Sequence, residues 1–157
     1  MGETVPLLCR PGLRQRFGIK GNSHQGFGAG WSAPEPHYIW NDGPEAELIV
    51  ALDGAVTPMQ LTLEGMPFVT ARVPAQVLEL YVNGHHAGFV RLRDSDGIRL
   101  RCDIEPEWWV MRDGVAVLKL LFHLPDSARP ADLGEGADRR ALAFCFLSLQ
   151  LDPAVEG

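Results

Sequence analysis

Residues 30–43 read Gly30-Trp31-Ser32-Ala33-Pro34-Glu35-Pro36-His37-Tyr38-Ile39-Trp40-Asn41-Asp42-Gly43, and two Trp, a Tyr, a His and a Glu crowd into them. Large aromatic rings are costly to leave in water unless they pack or bind something. Pro34 and Pro36 restrict the backbone and forbid a helix, so the segment reads as a shaped loop that presents rings and a carboxylate. Flat rings accept the apolar C–H faces of a sugar while neighbouring polar groups hold its hydroxyls. Trp31 and Trp40 are the candidate stacking residues, and Glu35 and His37 the candidate polar contacts. The same residues admit a structural account. Either Trp can plug the open end of a β-sandwich, and Glu35 can accept backbone N–H groups or pair with Arg140.

Asp138 and Arg140 stand two apart, so on an extended chain they share a face, where a carboxylate and a guanidinium can order two loops or meet a ligand. Trp108-Trp109, after Glu105-Pro106-Glu107, is a second aromatic–acidic cluster, and on a strand one ring would point in and the other out. His85-His86 follow a turn and lack zinc-ligand spacing, His24 and His37 flank the aromatic loop, and His123 falls in an apolar strand as a core residue. Asp94-Ser95-Asp96-Gly97 lacks the spaced acids of a calcium loop and reads as a β-turn. No GxSxG, HExxH, phosphate-binding loop or spaced carboxylate pair is present, so catalysis, a cofactor and a metal are not expected.

The bulk composition bounds the answer further. The chain has 157 residues, enough for one domain that buries a core without disulfides or metals. Its net charge is −6 and no basic face is evident, so nucleic acid is not an expected partner. The longest apolar run, 141–151, is too short to span a bilayer. Residues 1–10 carry no secretory leader pattern, and three widely spaced cysteines without a CxxC read as reduced thiols, which together predict a cytoplasmic protein.

These groups must be positioned by strands. Period-two alternation or dense apolar runs predict strands at 46–52, 59–63, 76–82, 87–92, 98–104, 115–124 and 141–151. Asn83-Gly84 is a hairpin turn, and Pro130-Ala131-Asp132-Leu133 can form a single helical turn in an otherwise irregular loop. No sustained helical period appears. The fold class expected is all-β, an antiparallel β-sandwich of jelly-roll type. It would span residues 26–151, behind an irregular N-terminal arm at 1–25 and before a tail at 152–157. Its core would draw on Ile49, Leu61, Leu63, Leu78, Leu80, Val82, Val117, Leu120, Phe122, Phe144 and Leu149.

Three pieces together carry a resemblance. They are the Gly30-Trp31…Pro34-Glu35…Trp40…Gly43 segment, the hairpin Leu78-Glu79-Leu80-Tyr81-Val82-Asn83-Gly84, and a tail with Pro125, Pro130, Gly134, Asp138, Arg140 and Leu142. They resemble the small jelly-roll modules, galactose-binding-like in shape, that accompany bacterial glycosyltransferases and polysaccharide-synthesis proteins. This chain departs from that pattern at Pro36-His37-Tyr38-Ile39, where the modules have a Gly-rich stretch. The resemblance implies a non-catalytic module in bacterial glycan synthesis, with a glycan or glycolipid head group as ligand and a glycosyltransferase as a possible protein partner. It also implies that the early Glu and the late Asp-x-Arg recur together, as a clasp between loops. The alternative is an interaction domain whose aromatic loops bury in a partner or a second copy; the oligomeric state is left open.

Overall fold

The computed structural model describes residues 4–93 and 97–154. The turn expected at Asp94–Asp96 lies outside the described residues. Among the described residues eleven strands form two sheets: β1 (Leu7–Cys9), β2 (Gln15–Arg16), β3 (Ile39–Trp40), β4 (Glu45–Leu52), β5 (Met59–Pro67), β6 (Gln76–Val82), β7 (His85–Leu92), β8 (Ile98–Ile104), β9 (Val110–Arg112), β10 (Val115–His123) and β11 (Phe144–Pro153). The first sheet runs β1-β4-β10-β6-β7, with β9 paired to the start of β10; the second runs β2-β11-β5-β8, with β3 also on β11. Every pairing is antiparallel except β1 on β4. The protein is an all-β sandwich of jelly-roll type.

Alternation builds the core. Leu78, Leu80 and Val82 of β6 face Leu61 and Leu63 of β5 and Phe144, Phe146 and Leu149 of β11 across the sandwich, all fully buried. Ile49 and Val117 depart from the expected core. On β4 the inward set is Ala46, Leu48, Val50 and Leu52, and on β10 it is Ala116, Leu118, Leu120 and Phe122, so Ile49 and Val117 fall on the opposite face. The outer faces also carry Glu45 and Glu47 on β4 and Lys119 and His123 on β10, so Ile49 and Val117 are apolar residues set into otherwise partly polar faces. His123, expected in the core, also lies on the outer face of β10, with its Nδ1 3.5 Å from the Glu79 carboxylate.

The expected N-terminal arm is not irregular throughout. Leu7–Cys9 pairs with Val50–Leu52, and Gln15–Arg16 pairs with Ser148–Leu149. Strands of three and two residues carry no readable period, and their partners lie far along the chain. At the other end β11 continues to Pro153, into the expected tail. The Asn83-Gly84 turn forms as expected, with φ of 46° and 84°. Asn83 also ties the hairpin down: its Nδ2 donates to the Trp108 carbonyl at 2.6 Å and its Oδ1 accepts from the Lys119 N–H at 2.8 Å. Pro130–Leu133 is the expected helical turn, of 3-10 type. Cys9, Cys102 and Cys145 are free and buried, and burial pushes their thiols up to about 12, 11 and 12, so they are protonated at neutral pH.

Candidate functional site

The aromatic loop is a small hairpin laid across the end of the sandwich. Ser32 N–H donates to the Trp40 carbonyl at 2.9 Å, Asp42 N–H to the Gly30 carbonyl at 2.8 Å, and Glu35 N–H to the Tyr38 carbonyl at 2.9 Å, which closes the turn. Gly30 has φ of +93°, and a Cβ there would run into the Glu45 carbonyl. Only glycine lets the loop lie this close to β4, and that approach delivers Trp31 to the gap between the sheets.

Trp31 stands edge-to-face against Phe27 (5.1 Å, 85°), Phe146 (4.8 Å, 71°) and Phe122 (6.2 Å, 78°). Its indole N–H donates to the Glu47 carbonyl at 2.6 Å. The ring therefore packs at the end of the sandwich, within the chain. Trp31 and Trp40 do not form one platform. Trp31 pairs with Asn41 in an isolated antiparallel bridge, and alternation along 39–41 sends Ile39 and Asn41 inward and Trp40 to the other face, opposite Cys145.

Part of Trp31 remains accessible and walls a pocket of about 210 Å³. Phe27, Pro34 and Ile39 complete its apolar lining, and Ser23, His24 and Ser32 supply polar groups. Ser23 is buried and its hydroxyl accepts from Gln15 Nε2 at 2.8 Å. Of these residues the sequence had marked only Trp31 as a candidate and His24 as a flanking group; Ser23, Phe27 and Ser32 carry no motif that would have found them.

The remaining candidates divide into two groups. Arg140 and Asp138 form a two-pronged ion pair, with Arg140 Nη2 2.6 Å from Asp138 Oδ2 and Nε 3.0 Å from Oδ1. Arg140 Nη1 then donates to the Ser32 hydroxyl at 2.7 Å, so the late loop is fastened to the aromatic loop through Ser32. Glu35 makes no direct ion pair with Arg140 among the described residues; its charge acts at longer range, favouring the Arg140 cation and adding to the burial that raises Cys145. His37 is exposed and opens on the other side of the loop, beside Arg16 and Lys20.

A residue with no role in the sequence reading does the most to join the two loops. Asn41 is fully buried. Its Oδ1 accepts from the Ala143 and Phe144 N–H groups, both at 2.9 Å, and its Nδ2 donates to the Gly43 and Ala141 carbonyls at 2.8 and 3.2 Å. Asp42 Oδ1 accepts from the Ala141 N–H at 2.9 Å. An Asn followed by Asp and Gly reads as turn chemistry, and nothing local announces partners a hundred positions away.

The second aromatic cluster is a 3-10 turn, Pro106–Trp108, rather than a strand. Trp109 is buried in the core, whereas Trp108 is half-buried and stacks on His85 at 5.0 Å with the rings 7° from parallel. Among the described residues no three His, Cys, Asp or Glu side chains converge as a metal site.

Hydrogen bonds from Arg140 hold the Asp138 carboxyl below its ordinary value. A carboxylate depressed in the folded state stabilises above its ordinary pKa, and that stabilisation is lost as pH falls through the lowered value. Asp138→Asn is therefore expected to lower stability at neutral pH by about 1 kcal/mol and to flatten the acid side of the curve. Thermal melts of both proteins from neutral to strongly acidic pH test this: the two curves should converge as Asp138 protonates.

No family model matches the chain, and neither does any curated protein. Among solved structures it is similar to a family 35 carbohydrate binding module from an environmental isolate, at 10% identity and a TM-score of 0.47 over 92% of this chain and 99% of that one. It is also similar to the CBM36-1 domain of a multidomain xylanase from the hindgut metagenome of Trinervitermes trinervoides, at 13% identity and a TM-score of 0.44 over 75% and 79%. A third is the CBM51-2 and INT domains of Clostridium perfringens ZmpB, at 18% identity and a TM-score of 0.36 over 94% and 28%.

Proposed function

We propose that this protein is a non-catalytic glycan-recognition module whose ligand enters the pocket beside Trp31. The observation that carries this reading is the pocket's composition: one indole and one phenyl ring set against the Ser32 hydroxyl and the His24 imidazole. A sugar ring needs that combination, because its C–H faces are apolar while its hydroxyls require donors and acceptors. The volume of about 210 Å³ lies below that of pockets for drug-sized ligands and suits one ring or a chain end. Trp31 is clamped by three aromatic contacts and a hydrogen bond, so little ordering remains to be done on binding. The resemblance of the loop and tail motifs supports a place in bacterial glycan synthesis with a glycosyltransferase as the protein partner, and the three free thiols support a cytoplasmic location.

The test is a glycan-array screen of the purified protein, followed by titration of any hit against His24→Ala and Trp31→Phe. His24 is exposed and makes no hydrogen bond among the described residues, so its loss should leave the melting temperature unchanged while weakening binding about tenfold. In the wild type the hit should also shift Trp fluorescence, and in Trp31→Phe that shift should shrink. A folded wild type that binds no saccharide, or a hit that ignores both substitutions, would remove the pocket from consideration.

A further inference from the structure

On the outer face of the second sheet the fold assembles a cationic trough, three of whose cations, Arg14, Arg16 and Lys20, lie close together in the sequence while Arg99 is brought in by strand pairing. The register aligns Arg16 of β2 with Ser148 of β11, Ser148 with Glu64 of β5, and Glu64 with Arg99 of β8, giving one straight row across four strands. At strand spacing the row spans about 14 Å. Arg14 lies two residues from Arg16, on the same face. Lys20 is brought alongside because the Ile19 and Lys20 N–H groups donate to the Glu35 and Pro36 carbonyls, both at 2.8 Å, which sets Lys20 beside His37. The loop carrying Lys20 is held in shape: Arg16 N–H donates to Asn22 Oδ1 at 2.6 Å and Gly21 N–H to the Gly18 carbonyl at 3.1 Å.

The charge in this trough is unbalanced. Four fixed cations line it (Arg14, Arg16, Lys20 and Arg99), and Glu64 is the one carboxylate among the described lining residues. Glu64 is shared between Arg99 at 3.1 Å and Arg14 at 3.6 Å. Arg16 and Lys20 have no acidic partner among the described residues. In a chain of net charge −6, clustered and unneutralised cations raise the local concentration of anions and carry no benefit to folding.

We propose that this trough binds an acidic polysaccharide, a sugar chain bearing carboxylate or sulfate groups, at a surface separate from the Trp31 pocket. The trough is open and elongated, which fits an extended polymer better than a single small anion. Arg14, Arg16 and Arg99 present guanidinium forks suited to carboxylate or sulfate oxygens. Glu64 meets both arginines through Oε1, which leaves its Oε2 to accept hydrogen bonds from sugar hydroxyls. A carboxylate in mid-trough repels a polymer charged at every unit but suits one in which hydroxyls alternate with anions. Nucleic acid is disfavoured on the same ground, and among the described lining residues no Trp, Tyr or exposed Phe offers a stacking platform for bases, since Phe17 is buried and the exposed ring is the small His37 imidazole.

Affinity electrophoresis tests this with gels containing polygalacturonate, dextran sulfate or neutral dextran, and with a single-stranded homopolymeric DNA as a fourth arm. The wild type should be retarded by one or both acidic polysaccharides and not by dextran, and the retardation should fade from about 50 to about 500 mM NaCl. The two acidic gels distinguish carboxylate from sulfate. Arg16→Ala with Lys20→Ala, and separately Lys20→Glu, should weaken the interaction about tenfold or more at an unchanged melting temperature. His24→Ala should bind as the wild type does, so that failure of the pocket reading and failure of this one are told apart. Migration in both acidic gels equal to that in dextran, retention by the trough variants, or tighter binding to the DNA would each overturn the proposal.

Discussion

Trp31→Ala should destabilise the protein by about 3 kcal/mol, the lower end of the range for truncating a large core aromatic, because the ring is partly buried against the core. The ring contributes edge-to-face contacts to Phe27, Phe122 and Phe146, each of which adds to the burial itself. Its removal opens the end of the sandwich and leaves the Glu47 carbonyl without its indole donor. Denaturant unfolding followed by circular dichroism measures the loss. Trp31→Phe should recover most of it, because the phenyl ring refills most of the cavity and what is missing is the hydrogen bond and the volume of the second ring. A loss below about 1 kcal/mol for the alanine variant would mean that the ring is peripheral to the core. The comparison also bears on ligand binding: a glycan titration of Trp31→Ala alone could not separate a lost contact from a lost fold, whereas Trp31→Phe can.

Asn41→Ala should cost a similar amount, about 3–5 kcal/mol, by a different mechanism. No large volume is lost. Instead two backbone N–H groups, of Ala143 and Phe144, and two carbonyls, of Gly43 and Ala141, lose their partner at once in a buried position. Each buried group left unpaired costs about 1–3 kcal/mol, with partial relief where a water can enter. Asn41→Asp separates the two halves of the network. It keeps the acceptor for the Ala143 and Phe144 N–H groups but sets a carboxylate oxygen against the two carbonyls, so it should be destabilised at neutral pH and partly rescued in acid. Hydrogen exchange should show early loss of protection at Ala143 and Phe144 in both variants. If Asn41→Ala unfolds at the wild-type denaturant midpoint, the two loops are held by other contacts, foremost Arg140 on Ser32.

Both effects concern residues that couple one loop to another, and the two differ in how far the sequence revealed them. Trp31 stood out because an indole amid prolines and glycines must either bind or pack. The choice between those roles was decided by Phe27, Phe122 and Phe146, which lie on three different parts of the chain. Asn41 did not stand out, since a buried amide that caps a distant strand has the same local appearance as one in a turn. The Arg140–Asp138 pair was legible from its spacing, but its reach to the Ser32 hydroxyl was not, because a serine in a loop has too many possible partners for spacing to select one.

The amino-acid sequence by itself determined the all-β class, seven of the strands to within a few residues, and the Asn83-Gly84 hairpin. Alternation and turn chemistry are local, and the strands that carry them are long enough to be read. Four strands of two or three residues, β1, β2, β3 and β9, were decided by tertiary pairing, because so short a segment extends only when another strand supplies its hydrogen bonds. Register is likewise long-range, and a shift of one residue exchanges the two faces of a strand. It therefore took the assembled sheets to send Ile49 and Val117 outward, to place Trp31 and Trp40 on opposite sides, and to gather Arg16, Ser148, Glu64 and Arg99 from four strands into one row.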